Sequence, residues 1–369
     1  MPAVRLDSLT GLRWWAAFAV FMFHMRNFAP LPLEVFELGH LGVAFFFILS
    51  GFVLTWSARP GVAPTTFWFR RFARIWPAHM VALLLAIPVF YSFNPDPAQT
   101  WVKPVSVGIL LLSVVLLQGW WKDPVILFSG NPAAWTLTCE AFFYALHPAL
   151  NRVLGRVSKN GALIVAIAVI VIAFVYRALS LLWPESALAA VPIPVARVTE
   201  FILGMAIARA MLAGWQFRIP PIYTYIVGLG AVLGLSVGQR FNTLAPLLEV
   251  LLPYTNEIFI VVFALVLTAV AARDQRGEFS LLRSKVLVAL GDMSFAFYLV
   301  HATVMYAAFA LLGHQDVGWS NLAWYLPLGL LGLGVSALLH YYVEKPLERR
   351  MRSWMDRRVA RKAAIETAT

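Results

Sequence analysis

The chain has 369 residues, of which 61% are hydrophobic and 13% are charged, and its mean hydropathy is +0.77. A soluble domain carries roughly a quarter charged residues, so the composition indicates a polytopic membrane protein. The formal charge of +11 is explained by cytoplasmic loops rich in Lys and Arg, and no nucleic-acid partner is needed. The single cysteine, Cys139, excludes a disulfide within the chain and a cysteine-based metal site.

Segments of membrane-spanning length predict an all-α fold. A spanning helix needs about 20 mainly apolar residues, and no stretch of the chain indicates a separate soluble domain. We therefore expect one membrane domain over residues 1–345 and a basic cytoplasmic tail over 346–369. The first segment lacks a convincing signal-peptide cleavage site and is expected to be retained. The candidate spans are 11–29, 39–57, 77–93, 104–119, 134–150, 162–182, 195–213, 220–238, 256–272, 286–312 and 321–343.

Clusters of Lys and Arg predict the orientation, because positive loops tend to stay in the cytoplasm. An even number of crossings must separate such loops, yet three segments lie between Arg74 and Arg152. We assign 134–150 as a re-entrant or tilted helix. This predicts about ten transmembrane helices in the cytoplasmic membrane, with both termini inside. The clusters are Arg59 with Arg70, Arg71 and Arg74; Arg152, Arg156 and Lys159; Arg273, Arg276, Arg283 and Lys285; and the tail from Lys345 to Lys362.

Arg13 and His24 are the first pair of ionisable residues at membrane depth, where such residues are costly and often functional. Eleven residues of α-helix bring them onto one face, about 16 Å apart along the axis, so one elongated ligand could contact both. An imidazole has the ordinary pKa that suits proton abstraction near neutral pH. Spacing alone is equally compatible with a core histidine and an arginine that reaches toward the headgroups.

The loop around Arg70, Arg71 and Arg74 combines positive charge with interleaved aromatic residues. On a short helix the three guanidinium groups share a side and could bind phosphate oxygens through forked hydrogen bonds. Taken alone, the loop is better explained as a topology signal that contacts anionic lipid.

A polar stripe follows one side of the segment 134–150. Glu140, Tyr144 and His147 recur there at helical spacing. A buried carboxylate can orient an imidazole or pair with an arginine, so Glu140 is a candidate functional residue.

Three further patterns have a structural explanation and a functional one. Tyr298 and His301 lie on one side of a helix and could line a cavity, although hydrogen bonding between helices is commoner. Arg197 and Glu200 are three residues apart, and we expect them to neutralise each other as a structural pair. Glycines around Ser50 and Gly51 favour close packing of the second helix.

Five short motifs follow one another in an order that covers nearly the whole chain. Each is weak alone, but together they resemble the membrane acyltransferase-3 family. The departures are Trp14 and Trp15, where smaller aromatics are usual, and Thr136 in place of serine. The motifs are Arg13 with ten residues before His24; Phe46 to Phe52; Arg71-x-x-Arg74 with Trp76-Pro77; Trp135-x-Leu137-x-x-Glu140; and Gly291 to His301, followed by the ending Tyr342 to Pro346.

The resemblance implies O-acyl transfer from acyl-coenzyme A to a hydroxyl of a sugar, glycolipid, exopolysaccharide unit or macrolide. By position, it makes His24 the essential histidine, Arg13 its motif partner, Glu140 a functional carboxylate, and Arg71 with Arg74 the donor-binding motif. No metal and no tightly bound cofactor are implied, since acyl-coenzyme A is a co-substrate.

The resulting hypothesis places the coenzyme phosphates on Arg70, Arg71 and Arg74 and leads the pantetheine arm to His24. There the imidazole is a general base or forms an acyl-imidazole. Tyr298 or a backbone amide near Ser50-Gly51 would stabilise the oxyanion. Weaker candidates for lining the same cavity are Ser50, Trp135, Tyr298 and His301.

Two other classes of protein stay open from sequence. A transporter or flippase of a glycolipid or lipid-linked sugar would also carry buried Arg, His and Glu residues along a path. A non-catalytic scaffold would tolerate replacement of His24. Transfer of labelled acetyl groups to an acceptor distinguishes an enzyme from both.

Overall fold

The computed structural model describes residues 5–97, 99–238 and 244–368, and helices dominate them. Two short strands, β1 (Tyr91–Ser92) and β2 (Lys103–Pro104), pair in parallel with Tyr91 opposite Lys103. The helices are α1 (Asp7–Met25), α2 (Gly42–Trp56), α3 (Pro64–Phe90), α4 (Val107–Val114), α5 (Pro124–Leu127), α6 (Trp135–Leu154), α7 (Lys159–Leu182), α8 (Ile193–Ala196), α9 (Val198–Leu212), α10 (Pro221–Val237), α11 (Ala245–Leu251), α12 (Thr255–Gln275), α13 (Lys285–Leu312), α14 (Leu322–Leu338) and α15 (Lys345–Ala368).

Short irregular helices join these elements. A π-helical turn, Leu339–Glu344, lies between α14 and α15. The 3-10 segments are Glu34–Leu41, Gln118–Trp120, Pro132–Ala134, Leu252–Tyr254, Leu281–Arg283 and Trp319–Asn321.

Six helical stretches in the described residues are long and apolar enough to cross a membrane. The predicted all-α, multi-pass architecture is therefore confirmed. The helices α1, α6 and α9 have 19, 20 and 15 residues and are not among the six, so the count of ten stays a prediction. The six stretches are Glu34–Trp56, Pro64–Phe90, Lys159–Leu182, Ala245–Gln275, Lys285–Leu312 and Trp319–Arg361.

The predicted span at 104–119 is wrong. Its helix, α4, has only eight residues and rises about 12 Å, far less than the roughly 30 Å of a hydrocarbon core. Leu116 takes a positive φ of 58°, and the amide of Gly119 then donates to Oγ1 of Thr138 at 3.2 Å. The chain thus turns back onto α6 instead of crossing.

The segment 134–150, by contrast, belongs to the continuous helix α6. Twenty residues of α-helix extend about 30 Å. The even number of crossings between Arg74 and Arg152 therefore follows if α3 and α6 cross and α4 does not. Since α6 is not among the six stretches that are apolar enough to cross, the expectation of a re-entrant or tilted helix at 134–150 stays a prediction.

Glycines bring helix backbones into direct contact, as is common between membrane helices. A Cβ atom on Gly204 of α9 would lie 1.9 Å from the carbonyl oxygen of Ile48 in α2, and one on Gly51 would lie 2.0 Å from that of Phe201. A Cβ on Gly291 of α13 would lie 1.9 Å from the carbonyl oxygen of Thr10 in α1. The prediction of close packing at Gly51 is confirmed.

A buried carboxylate fixes the start of α1. Asp274, near the end of α12, accepts hydrogen bonds from the backbone amide of Ser8 at 2.8 Å and from its hydroxyl at 2.6 Å. Since α1 carries Arg13 and His24, this contact fixes the helix that presents both residues.

We expect Gly204→Ala to lower the melting temperature of the detergent-purified protein by several degrees, because the added methyl group meets backbone that cannot rotate away. Overpacking typically costs about 1–3 kcal/mol. The control is Gly234→Ala in α10, where a Cβ atom meets nothing within 4 Å. Equal melting temperatures for the two variants would contradict the proposed backbone contact.

Candidate active site

A cavity of about 970 Å³ is bordered by His24. We call it the histidine cavity. It reaches the surface beside His40 and Glu37, whose side chain is 51% exposed. Its walls combine aromatic side chains with charged ones, including Phe23, Phe128, Trp135, Tyr298, Arg177, Arg197, Glu200 and Glu257.

A second cavity, of about 720 Å³, lies where α3, α6 and α15 meet. We call it the basic cavity, because five arginines and one aspartate line it. It also contains His147, whose ring stacks on Phe67 with centroids 4.7 Å apart. The charged residues are Arg59, Arg70, Arg71, Arg152, Arg352 and Asp356.

Two small cavities lie between these large ones. The first, of about 130 Å³, is lined by Arg13, Ser50 and Glu140, and it shares Arg71 with the basic cavity. The second, of about 50 Å³, also contains Arg13 and Glu140, and it shares Tyr298 with the histidine cavity. The four cavities therefore form a line from the basic cavity to His24, which we call the cavity line.

One helix, α6, follows the whole cavity line. Trp135 at its start lines the histidine cavity, Glu140 and Tyr144 line the small cavity beside Arg13, and His147 lines the basic cavity. The polar stripe predicted from helical spacing is therefore confirmed as a shared face. It also places the two ends of α6 at opposite ends of the line.

His24 contacts a second histidine. The ring centroids of His24 and His301 are 5.1 Å apart. Nδ1 of His301 lies 2.8 Å from the carbonyl oxygen of Tyr298 and 3.2 Å from that of Phe297. Because carbonyls only accept, this nitrogen must carry the proton, which leaves Nε2 as an acceptor.

His301 was expected to line the cavity, but it lies behind His24 instead. It is 1% exposed, and it is not among the side chains that line the histidine cavity. Its Nε2 and the Nδ1 of His24 are buried without a hydrogen-bond partner among the described residues. His301 therefore contacts His24 through its ring and does not itself line the cavity.

Glu140 lies in a small polar cluster opposite Arg13. The hydroxyl of Tyr144 donates to Oε2 of Glu140 at 2.9 Å, and Ser50 donates to the same hydroxyl at 3.5 Å. Arg13 and Glu140 line the same two cavities, so the positive charge faces a carboxylate about halfway along the cavity line.

The two groups predicted to bind an oxyanion are otherwise engaged. Ser50 and Gly51 lie inside α2, where backbone amides donate within the helix, so the amide prediction is wrong. The hydroxyl of Tyr298 donates to the carbonyl oxygen of Ala133 at 3.2 Å and accepts from Thr136 at 3.1 Å. Its proton is committed to the 3-10 segment Pro132–Ala134, which precedes α6.

The three arginines of α3 do not form the single clamp that their spacing predicted. Arg74 lies in the small cavity and is paired with Glu344 and with Glu348, the latter at 3.1 Å. Arg70 is paired with Asp356 at 2.7 Å.

Arg71 is the exception among the three. No carboxylate pairs with it in the described chain, and its Nε is buried without a hydrogen-bond partner. Its guanidinium lies over the rings of Phe67 and Tyr144, at 5.9 and 6.0 Å. Arg71 is thus the arginine of α3 that is free to bind an anion.

Sequence reasoning missed several residues along the cavity line. Arg59, Arg152 and the tail arginine Arg352 had been assigned to topology alone, yet they line the basic cavity. Glu344, whose side chain is fully buried, accepts from Arg74 and is 3.0 Å from His340. The only signal for Glu344 was its position in the ending Tyr342 to Pro346.

Fold and cavities define a multi-pass helical membrane protein whose ionisable side chains line a series of neighbouring cavities. The chain belongs to the acyltransferase-3 family, whose sequence profile, described as an acyltransferase domain, matches residues 6–341. It is therefore an O-acyltransferase, and the resemblance of the five motifs is confirmed. The transporter and scaffold alternatives are not supported.

Named relatives agree with this assignment. The chain is 35% identical to acyltransferase MdmB of Streptomyces mycarofaciens, over 94% of this chain and 92% of the relative. It is 29% identical to peptidoglycan O-acetyltransferase OatA of Listeria monocytogenes, over 44% of this chain and 27% of the relative. A putative peptidoglycan O-acetyltransferase of Bacillus subtilis, YrhL, is 24% identical over 96% of this chain and 56% of its own length. No solved structure matches.

We expect Arg74→Gln to destabilise the protein, because it leaves Glu344 as a buried carboxylate without its cation. Breaking one partner of a buried pair costs about 3–5 kcal/mol, and the melting temperature of purified variants measures the loss. The double variant Arg74→Gln with Glu344→Gln should recover part of it. Arg70→Gln is the control, since its partner Asp356 is half exposed and such pairs contribute little. A wild-type melting temperature in Arg74→Gln would refute the structural role.

Proposed function

We propose that the protein transfers an acyl group from acyl-coenzyme A, bound in the basic cavity, to a hydroxyl group of an acceptor in the histidine cavity. The observation that carries the proposal is the cavity line, in which successive cavities share lining residues from the five arginines to His24. The acceptor classes are a sugar, a glycolipid, an exopolysaccharide unit or a macrolide, and the names of two relatives include peptidoglycan O-acetyltransferase.

The donor's phosphates fit the basic cavity because guanidinium groups bind phosphate through paired hydrogen bonds. Arg71 is the leading candidate, since it has no carboxylate partner in the described chain and borders both cavities. Arg59 and Arg152 would complete the phosphate site. Arg70 lies at its edge beside Asp356, and Arg74 supports the site through Glu344.

The pantetheine arm suits the narrow part of the cavity line, which is too small for the nucleotide. Arg13 and His24 face the same side of α1 about 16 Å apart, and this separation is of the order of an extended arm. In this arrangement Arg13 and Glu140 border the arm, while the thioester reaches the histidine cavity.

His24 is positioned to act as the general base. It takes the proton of the acceptor hydroxyl while that oxygen forms a bond to the thioester carbonyl carbon. The carbon–sulfur bond then breaks, and the departing thiolate receives the proton from the imidazolium. In the alternative route, His24 attacks the thioester to form an acyl-imidazole and release the thiolate, and the acceptor hydroxyl then attacks the acyl-imidazole. His301 is a positioning residue in either route, because it contacts His24 and not the cavity.

The two ends of the cavity line would face opposite sides of the membrane. Arg59, Arg152 and Arg352 meet at the basic cavity, and the positive-inside rule favours the cytoplasm for this end. Both termini would then be cytoplasmic, in a cytoplasmic membrane, and the acceptor would be acylated at the opposite face. The donor and acceptor would never share a compartment.

We expect His24→Ala to abolish transfer of labelled acetyl groups from acetyl-coenzyme A to a glycan and macrolide mixture, while abundance and melting temperature stay near wild type. Loss of a general base typically costs about 10²–10⁴-fold in rate. The control is His314→Ala, an exposed histidine outside the cavities. Wild-type turnover in His24→Ala would remove this residue from the mechanism.

Arg71→Gln should raise the KM for acetyl-coenzyme A by at least about tenfold, because one charge-assisted contact contributes roughly 1.5–3 kcal/mol. The KM for the acceptor should change little, and rising salt should weaken donor binding in wild type more than in the variant. Arg283→Gln, an exposed arginine outside the basic cavity, is the matched control for lost charge. An unchanged donor titration in Arg71→Gln would exclude the phosphate contact.

A further inference from the structure

The wall of the histidine cavity contains a polar cluster that the transfer reaction does not use. It joins the end of α7, the start of α9 and the start of α12, and it consists of Arg177, Arg197, Glu200, Asn256 and Glu257. We call it the acceptor-wall cluster. Three helices that are distant in sequence contribute to it, so it is a product of the fold.

Hydrogen bonds link its members into one network. Arg197 donates to Asn256 at 2.5 Å and lies 3.1 Å from Oε1 of Glu200. Asn256 in turn donates to Glu200 at 3.2 Å and contacts Glu257 at 3.5 Å. Arg177 donates to the carbonyl oxygen of Pro253 at 2.7 Å. The network holds the side chains in fixed positions along the wall.

The network is nevertheless incomplete. Glu200 is 1% exposed and Glu257 is 8% exposed, yet Oε2 of each has no hydrogen-bond partner in the described chain, and the same is true of Nε of Arg197. A buried polar atom without a partner is costly unless a ligand or water completes it. Two acceptors and one donor of residues that line the cavity therefore lack a hydrogen-bond partner within the described chain.

The charges of the cluster select the kind of partner. The formal charges of its two arginines and two glutamates sum to zero, so the cluster as a whole attracts neither an anion nor a cation. Hydroxyl groups suit the pattern, because each can donate to a carboxylate and accept from a guanidinium. The rings of Phe23, Phe128 and Trp135 line the same cavity and offer apolar surface to the carbon face of a sugar ring.

We propose that the acceptor-wall cluster recognises hydroxyl groups that neighbour the one being acylated, and so selects neutral polyhydroxylated rings as acceptors. This inference rests on the proposed function, because it assigns the histidine cavity to the acceptor. The cluster determines specificity and takes no part in moving the proton. Arg197 and Glu200, expected from sequence to be a structural pair, gain a binding role.

The test compares acceptors with and without neighbouring hydroxyls. Purified full-length protein receives acetyl-coenzyme A and either a panel of methyl glycosides or cyclohexanol, a ring alcohol with a single hydroxyl. We expect the best methyl glycoside to exceed cyclohexanol at least tenfold in kcat/KM. Glu257→Gln should raise the glycoside KM at least tenfold, with the cyclohexanol rate and the KM for acetyl-coenzyme A unchanged. Glu185→Gln, an exposed carboxylate after α7, is the matched control.

Binding measured without a donor separates this inference from the proposed function. The best methyl glycoside should raise the melting temperature of wild-type protein and of Glu185→Gln, but not that of Glu257→Gln. If no acetyl-coenzyme A is consumed yet this stabilisation is seen, the donor assignment fails and the cluster stands. Equal use of cyclohexanol, an unchanged glycoside KM, or a lower melting temperature of Glu257→Gln with normal glycoside binding would each overturn the inference.

Discussion

Charged side chains inside an apolar helix bundle need partners, and this constraint organises the whole molecule. The free energy of placing an isolated charge in hydrocarbon is high, so buried ionisable groups collect where they can face one another or a ligand. Arg13 and Glu140 line the same two small cavities for this reason, and Asp274 accepts hydrogen bonds from Ser8 at the start of α1. The helices pack by contacts between small residues, whereas the charged residues of the cavity line determine which helix faces turn inward.

The three arginines of α3 have different partners and therefore different roles. Arg70 and Arg74 are matched with carboxylates of the C-terminal region, which anchors α15 to α3. The guanidinium of Arg71 instead makes cation–π contacts with two aromatic rings, and these contacts leave its N–H groups available for hydrogen bonds. The anchored arginines hold α15 in place, and α15 in turn supplies Arg352 to the basic cavity.

The π-helical turn Leu339–Glu344 turns Glu344 inward. π-helical turns in longer helices are often found at functional sites. Here the wider turn places a fully buried carboxylate against Arg74 and His340 at once. The end of the membrane domain thereby supports Arg74, which lines the small cavity beside Arg13.

Helix periodicity and composition are local properties of the sequence, and they were sufficient to predict many features of the molecule. They predicted the membrane class, the shared face of Arg13 and His24, the stripe from Glu140 to His147, and, through the motif order, the family. Local signals were too weak at 104–119, where an apolar run forms the short helix α4 because the chain turns back onto α6.

Only the tertiary structure determined which side chains distant in sequence contact each other. Glu344 is 270 residues from Arg74, and the pairing between them is what leaves Arg71 as the unpaired arginine of α3. The acceptor-wall cluster likewise unites Glu200 with Glu257 in the wall of the cavity that His24 also lines. Spacing within one helix fixes which residues share a face, but the free energy that selects a partner across the bundle depends on which helices pack together.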